Sequence, residues 1–493
     1  MQIDLDRSSR EPLYRQLAGS LQQRIRSGAL PPCTRLPTVR QLAQQLGVTR
    51  LTVHSAYAEL QSGGWVEATV GRGTFVAERI EELVASPIPA LGKEVTPGGM
   101  MADMLRMAQL PGIIGLARAD PAAEFYPIQQ WQRANEMALA AGGTRLMGYT
   151  TAQGDQQLRS VLSELVRERG ISATPDEIIV TSGVTNGMAL ATALLARPGA
   201  AVLVEQPTYL GLLNILSVQG VRPVGVAMDD EGVQLDALEA AIIAERPAFL
   251  YTIPTYQNPS GLCTSAARRE AVLALAHRHN LMIVEDDVYG RLTLEGAALP
   301  AIKAHDRDGL VIYLSSFAKS LMPGLRIGYA VAAPSIVERL AHYRQAQDMC
   351  SPLLTQRALA LFVEQGWLHA HLRRMLPRYR ERRDTLLQAL ERFFPSTVSW
   401  TRPQGGFSCW VTLPASISVT DLYLSATARH IAFAPGDVFK ATPDGQSHLR
   451  ICFGVEQPER IAEAVATLGS LLRERSYPRP LNPPALRDCV PIV

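Results

Sequence analysis

The 493-residue sequence predicts a multi-domain chain: a small helix-turn-helix head with a β wing, then an α/β domain on a mostly parallel sheet, then a smaller C-terminal α+β part. Three observations predict it. Residues 1–78 hold short helical segments that end in a glycine-punctuated hairpin. Six apolar runs between 177 and 331 alternate with amphipathic helical stretches, the pattern of a parallel sheet covered on both faces. After about 335, long arginine-rich helical patterns lead into shorter mixed segments.

The boundaries follow from composition. Residues 1–78 form the head. Residues 79–118 mix Pro, Gly and Met without sustained periodicity and read as a linker. Residues 119–475 form the second domain, with a large part over about 145–335 and a small part over about 336–475. The stretch 476–493 is a Pro-rich, extended tail. Hydrophobic content of 47% with 19% charged residues is globular. Six scattered cysteines with no C-x-x-C pair argue against a disulfide framework and a structural zinc, so no metal is expected. The N-terminus lacks the apolar region of a secretory signal, and no apolar run approaches 18 residues, so no membrane span is expected. The expectation is a soluble, cytoplasmic protein.

In the head, Thr38 caps a helix carrying Val39, Leu42, Ala43 and Leu46 at helical spacing. Gly47 permits a sharp turn. Thr49 caps a second helix that turns Val53, Ala56, Tyr57 and Leu60 inward. Arg50, Thr52 and His54 stand on its opposite face, so this helix suits a DNA major groove. The stretch WVEATVGRGTFV alternates around Gly71-Arg72-Gly73 and reads as a two-stranded wing, its arginine placed for phosphate or the minor groove. Over residues 1–79 ten arginines meet six acidic residues, a balance of +4 that is compatible with a nucleic-acid partner.

The strands of the second domain are EIIVT (177–181), AVLVE (201–205), AFLYT (248–252), LMIVE (281–285), LVIYLS (core 311–315) and RIGYAV (326–331). Ligands of an open α/β sheet sit beyond the carboxyl ends of such strands. The first run is followed by Ser182, Gly183, Val184 and Thr185, opening a helix. The third is followed by Asn258, the fourth by Asp286 and Tyr289, the fifth by Ser316 and Lys319. Singly, these are a helix cap, a turn and a solvated loop; together they are in register with the sheet. Lys319 is one of only four lysines among 48 basic residues, in a chain that otherwise uses arginine. Lysine can lose its proton and act as a nucleophile, and arginine cannot.

That set suits pyridoxal 5′-phosphate (PLP). Lys319 provides the amine for an imine, and Asp286 keeps the pyridine nitrogen protonated. Asn258 and Tyr289 are placed for the ring hydroxyl, and the helix start after Gly183 for the phosphate. Ser316 and Arg326 add contacts, and Tyr209 is placed to stack on the ring.

Two resemblances extend this reading. EPLYRQLAGSLQQRIRSGAL, LPTVR, GVTRLTVHSAYAEL and GRGTFV resemble the winged helix-turn-helix of GntR-type bacterial regulators. That implies Arg40, Thr49, Arg50, Thr52, His54 and Arg72 at double-stranded DNA, His54 standing where arginine is common. GYTTAQGDQQLR, TSGVTNGMAL, EQPTYLG, TIPTYQNPSG, EDDVYG, SSFAKSLMPGLRIGY, PQGGFSCWVTLP and HLRICFG resemble a fold-type I aminotransferase across 119–475. The resemblance implies a homodimer in which Tyr149 reaches the neighbour's phosphate, and a substrate-carboxylate role for Arg450. Val184 and Ala318 stand where hydroxyl residues are common. Each lost hydrogen bond is worth about 0.5–1.5 kcal/mol, so modest PLP affinity is expected. The two together resemble the MocR class of regulators: a PLP-bearing domain senses PLP or an amino acid, and two heads read an operator of two half-sites. A working aminotransferase with a DNA-binding head is the other reading, and a structural pseudoenzyme the third.

Overall fold

The computed structural model describes residues 12–26, 29–31, 34–62, 65–69, 73–77 and 112–476. The chain divides into two units, Met1–Ala90 and Leu91–Val493.

The first unit holds α1 (Leu13–Arg26), α2 (Val39–Leu46), α3 (Arg50–Ser62), β1 (Val66–Thr69) and β2 (Gly73–Val76). Thr38 starts α2 with a reciprocal capping box: its hydroxyl oxygen accepts the Gln41 N–H, and the Gln41 side chain accepts the Thr38 N–H. Gly47 ends α2 at φ 61, in left-handed backbone, and returns its N–H to Ala43. Thr49 Oγ1 accepts the Thr52 N–H at 3.2 Å and starts α3. Val53, Ala56, Tyr57 and Leu60 face inward against Leu17, Leu21, Leu42, Trp65 and Val76. The wing pairs antiparallel from Val66–Val76 to Thr69–Gly73. Its tip, with Arg72, lies outside the described residues.

The second unit begins with β3 (Ile114–Gly115), α4 (Ile128–Gly142) and α5 (Gln156–Leu165). Its main sheet has eight strands: β4 (Ile178–Thr181), β5 (Ala201–Gln206), β6 (Arg222–Asp229), β7 (Gly232–Val233), β8 (Phe249–Thr252), β9 (Met282–Asp286), β10 (Val311–Ser316) and β11 (Gly328–Val331). All six apolar runs named above are strands of it. Their order is β4-β11-β10-β9-β8-β5-β6-β7. Strands β10, β9, β8, β5 and β6 run parallel, while β11 is antiparallel to both neighbours. The intervening helices are α6 (Val184–Leu195), α7 (Leu210–Val218), α8 (Leu235–Glu245) and α9 (Ala266–His279).

Alternation along the strands divides the core. Ile179, Val202, Val204, Tyr251, Val284, Ile312 and Leu314 pack with Met188, Leu212 and Leu216 on one face. Ile178, Val180 and Tyr313, and separately Leu203, Leu250, Ile283 and Val311, pack on the other. Two-residue periodicity thus gives three layers, because successive side chains leave a strand on opposite faces.

The remainder is α10 (Pro334–Gln347), α11 (Leu353–Glu364), α12 (Trp367–Phe393), β12 (Ser399–Trp400), β13 (Ser408–Thr412), α13 (Val419–Thr427), β14 (Ile431–Ala432), β15 (Ala434–Pro435), β16 (His448–Cys452) and α14 (Pro458–Ser476). Strands β12-β13-β16-β15 form an antiparallel sheet.

Of the linker expected over 79–118, residues 79–111 lie outside the described residues, as does the tail after 476. Residues 113–118 belong to the second unit instead. Strand β3 pairs parallel with β14, Leu116 is fully buried, and its carbonyl accepts the Cys452 N–H at 2.8 Å. A two-residue strand is too short to show alternation, and its partners come from the far end of the chain.

Candidate cofactor site and DNA-binding face

The carboxyl ends of β4, β8, β9 and β10 all open on one edge of the sheet. Strand β11, running the other way, starts at that edge and brings Arg326 with it. A cavity of about 500 Å³ lies there, walled by Asp286, Lys319, Asn258, Tyr289, Tyr209, Val184, Thr185, Arg326 and Arg450 among others. The topology therefore gathers residues spaced along 267 positions of chain, from 184 to 450, into one cleft.

Asp286, at the end of β9, is buried. Its Oδ2 accepts the Tyr251 hydroxyl at 2.7 Å, and its Oδ1 accepts the Val288 N–H at 3.2 Å. Burial pushes the carboxyl up to about 6, against the lowering effect of those two hydrogen bonds. Burial also pushes the Tyr209 phenol up to about 12 and Tyr289 well above its ordinary value. Both hydroxyls therefore stay protonated at neutral pH.

Arg450, on β16, is buried and donates from Nη1 to Asn258 Oδ1 at 2.7 Å. It donates from Nη2 to the Ala117 carbonyl and stacks 4.7 Å from the centre of the Phe439 ring. Its Nε is buried without a partner, an unmet donor on a guanidinium that lines the cavity.

Arg326 holds left-handed backbone at φ 51 and donates to the Ser182 carbonyl at 2.9 Å. Gly183, at φ 89, precedes α6; a Cβ there would stand 2.8 Å from Arg326 Nη2. Only glycine keeps that guanidinium against the helix start, where the first-turn N–H groups have no intrahelical acceptor. These features fit a phosphate, a protonated ring nitrogen and a carboxylate, the polar parts of PLP and an amino acid.

Not every expected residue reaches the cavity wall. The Ser182 hydroxyl donates to Asp348 Oδ2 at 2.6 Å instead. Gly183 acts through its backbone. Ser316 is buried, and its Oγ accepts the Ala318 N–H at 3.4 Å. Tyr149 is 82% exposed and away from the cavity of its own chain. Val184 and Ala318 do line the cavity, so it lacks their hydroxyls.

Two residues of the site were not legible in the sequence. Tyr251 reads as an ordinary strand aromatic. Asp120 pairs with Lys319, its Oδ1 standing 2.7 Å from Nζ, and with Arg118 at 2.7 Å. Burial alone would raise the Asp120 carboxyl, but Lys319 and Arg118 outweigh it and hold it at about 2. No local signal announces a contact across 199 positions.

On the head, Arg40, Thr49, Arg50 and His54 are exposed and Thr52 is half-buried, its hydroxyl 2.8 Å from Thr49 Oγ1. Arg35, also exposed, sits against Gly73, the first residue of β2 beside the wing turn, and was not anticipated.

Comparison with known proteins agrees with both halves. The family of bacterial regulatory proteins called gntR matches residues 13–76, and aminotransferase class I and II matches residues 111–468. The uncharacterized HTH-type transcriptional regulator YjiR of Escherichia coli K12 is 33% identical over 92% of this chain and 98% of its own. The HTH-type transcriptional regulator TauR of Rhodobacter capsulatus is 30% identical over 92% of this chain and 97% of its own. Among solved structures, the α-aminoadipate aminotransferase LysN of Thermus thermophilus, complexed with N-(5′-phosphopyridoxyl)-L-leucine, is 33% identical with a TM-score of 0.71. It covers 76% of this chain and 95% of its own. Among the described residues no helix is long and apolar enough to cross a membrane. The DNA-binding head is that of a GntR-type regulator, and the cofactor of the second domain is PLP. The chain belongs to the aminotransferase class I and II family and carries that domain behind a GntR-type winged helix-turn-helix, as a transcriptional regulator of the MocR type.

Proposed function

We propose that this regulator works in the cytoplasm and senses PLP, or an amino acid presented to it, at Lys319. One observation carries the reading: a lysine amine, a buried carboxylate and two arginines meet on the wall of one cavity, in a chain with a DNA-binding head. Bound there, the cofactor supplies an aldehyde that exchanges reversibly between amines and a ring that draws electrons. Lys319 anchors it by its amine. Asp286 holds the ring-nitrogen proton, its oxygens oriented by Tyr251 and the Val288 N–H. Arg326 and the start of α6 take the phosphate, with Ser182, Gly183, Val184, Thr185 and Ser316 shaping that end. Asn258 and Tyr289 flank the ring hydroxyl, and Tyr209 lies against the ring. Arg450 takes the carboxylate of an amino acid, a role for which its unpartnered Nε is available. The missing hydroxyls at Val184 and Ala318 suit reversible loading.

Arg40, Thr49, Arg50, Thr52 and His54 face the duplex, with Arg72 at the wing tip and Arg35 beside Gly73. A homodimer is expected. Tyr149, exposed in the single chain, then reaches the neighbour's phosphate, and two heads read two half-sites. The test is binding of the intact protein to the DNA upstream of its own gene, with and without PLP and a panel of amino acids. Specific binding that shifts with PLP or one amino acid is expected, and Lys319→Ala should keep the binding and lose the shift. Binding that ignores every ligand would sink the sensor reading.

A second reading is a working aminotransferase. The completeness of the Lys319, Asp286, Tyr289, Asn258 and Arg450 set favours it, as does the 33% identity to an aminotransferase. Multiple-turnover oxo-acid formation at ~1 s⁻¹ or faster would establish it.

A further inference from the structure

Lys319 does not stand free in the cavity. Its Nζ lies 2.7 Å from Asp120 Oδ1, and both side chains are about one-fifth exposed. Asp120 sits on the strap Ile113–Ala122, which lines the cavity with Arg118, Ala119 and Asp120. The strap is anchored along its length: Ile113 O to Arg460, Gly115 N to Glu456, Leu116 O to the Cys452 N–H, Ala122 N to the Tyr379 hydroxyl. It is seated closely, since a Cβ on Gly454 would stand 2.3 Å from the Asp120 carbonyl oxygen. Two of its contacts come from the site itself: Lys319 to the Asp120 carboxylate and Arg450 to the Ala117 carbonyl. The groups assigned to an aldehyde and to a carboxylate are thus the same groups that tie down the strap.

We propose that Asp120 is a positioning residue for Lys319: it parks the ammonium until a carbonyl compound takes the amine, and the strap that carries it loosens when Lys319 is taken. The proposal rests on Lys319 being the anchor of the cofactor. To form its bond, Lys319 must leave Asp120 and release a proton to water. Its nitrogen then bonds to the aldehyde carbon, a second nitrogen proton is lost, and the aldehyde oxygen departs as water. Asp120 keeps Arg118 as a partner throughout, so its charge is never left alone. If an incoming amine displaces Lys319, the lysine regains its proton and Asp120 can receive it again.

The test is the rate of PLP uptake by the full chain, followed by absorbance, with borohydride trapping and peptide mapping to identify the lysine. Asp120→Asn should load about fivefold faster, the scale of one partly exposed charged contact. Asp120→Glu keeps the charge and should return towards the wild-type rate. Glu456→Gln weakens the strap at a point remote from Lys319 and should speed uptake, by less than Asp120→Asn does. Amide hydrogen exchange over Gly115–Ala122 should speed up when PLP loads the wild type, and should not respond to PLP in Asp120→Asn. Trapping at Lys319 with an unchanged or slower rate in Asp120→Asn overturns the proposal alone. So does a wild-type strap whose exchange ignores PLP. Failure to trap Lys319 in the wild type overturns the proposal together with the reading beneath it.

Discussion

Asp286 shows how one contact decides the protonation of a neighbour. Burial favours its neutral form and holds it at about 6, and the Tyr251 hydroxyl at 2.7 Å is the largest opposing influence. Tyr251→Phe removes that donor, so Asp286 should titrate higher still and be partly protonated at neutral pH. The pH titration of the cofactor's absorbance should shift, and PLP affinity should fall about tenfold, the size of one charged hydrogen bond. An unchanged titration would mean that the Val288 N–H alone fixes the carboxylate. Arg450→Gln should retain PLP absorbance but weaken amino-acid binding about 100-fold, because a guanidinium takes a carboxylate with two charged hydrogen bonds. Spectral titration with the effector amino acid measures it. Lys319 was legible because lysine is rare in this chain, and Asp286 because it follows a strand in register with the other polar groups. Tyr251 and Asp120 were not, since a strand tyrosine and a loop aspartate have ordinary local explanations.

At the scale of elements, the junction of β4 and α6 is the most constrained. Gly183 combines φ 89 with a neighbouring guanidinium 2.8 Å from where a Cβ would stand. Gly183→Ala should push Arg326 away from the helix start and lower PLP affinity at least about tenfold, since two charged hydrogen bonds are at stake. Equilibrium dialysis of PLP would show it, and unchanged affinity would place the phosphate elsewhere. The capped helices of the head follow from sequence alone, because a capping box and a left-handed glycine are local devices. Strand β3 does not, because its strand partner is β14, more than 300 positions later.

At the scale of the whole molecule, burial raises three carboxylates near the strand ends, among the described residues: Asp286 to about 6, and Glu205 and Glu285 to about 7. Burial is the first cause in each. Folded values above the unfolded ones mean these groups bind more protons when folded. Their contribution is fully present below about pH 4 and is lost as pH rises through 6 to 7. Asp120, held at about 2, acts oppositely: its contribution is present above about pH 4 and lost as pH falls through 2. The cofactor-free second domain should therefore lose stability from pH 4.5 to 7, with up to about 3 kcal/mol from a single group such as Glu285. Denaturant unfolding across that range should show it, and Glu285→Gln should flatten the slope. PLP at about 100 times its Kd should add about 2.7 kcal/mol to the transition of this domain and leave that of the head in place. The sequence by itself determined the two folds, the six core strands, the capped helices of the head and the lysine chosen for its chemistry. These depend on periodicity, capping and residue type, which act over a few neighbouring positions. Only the tertiary structure decided which side chains share the cavity, that Ser182 and Ser316 turn away from it, and that Asp120 holds Lys319. Those outcomes depend on strand order and on close approach between segments hundreds of residues apart, and no local pattern encodes either.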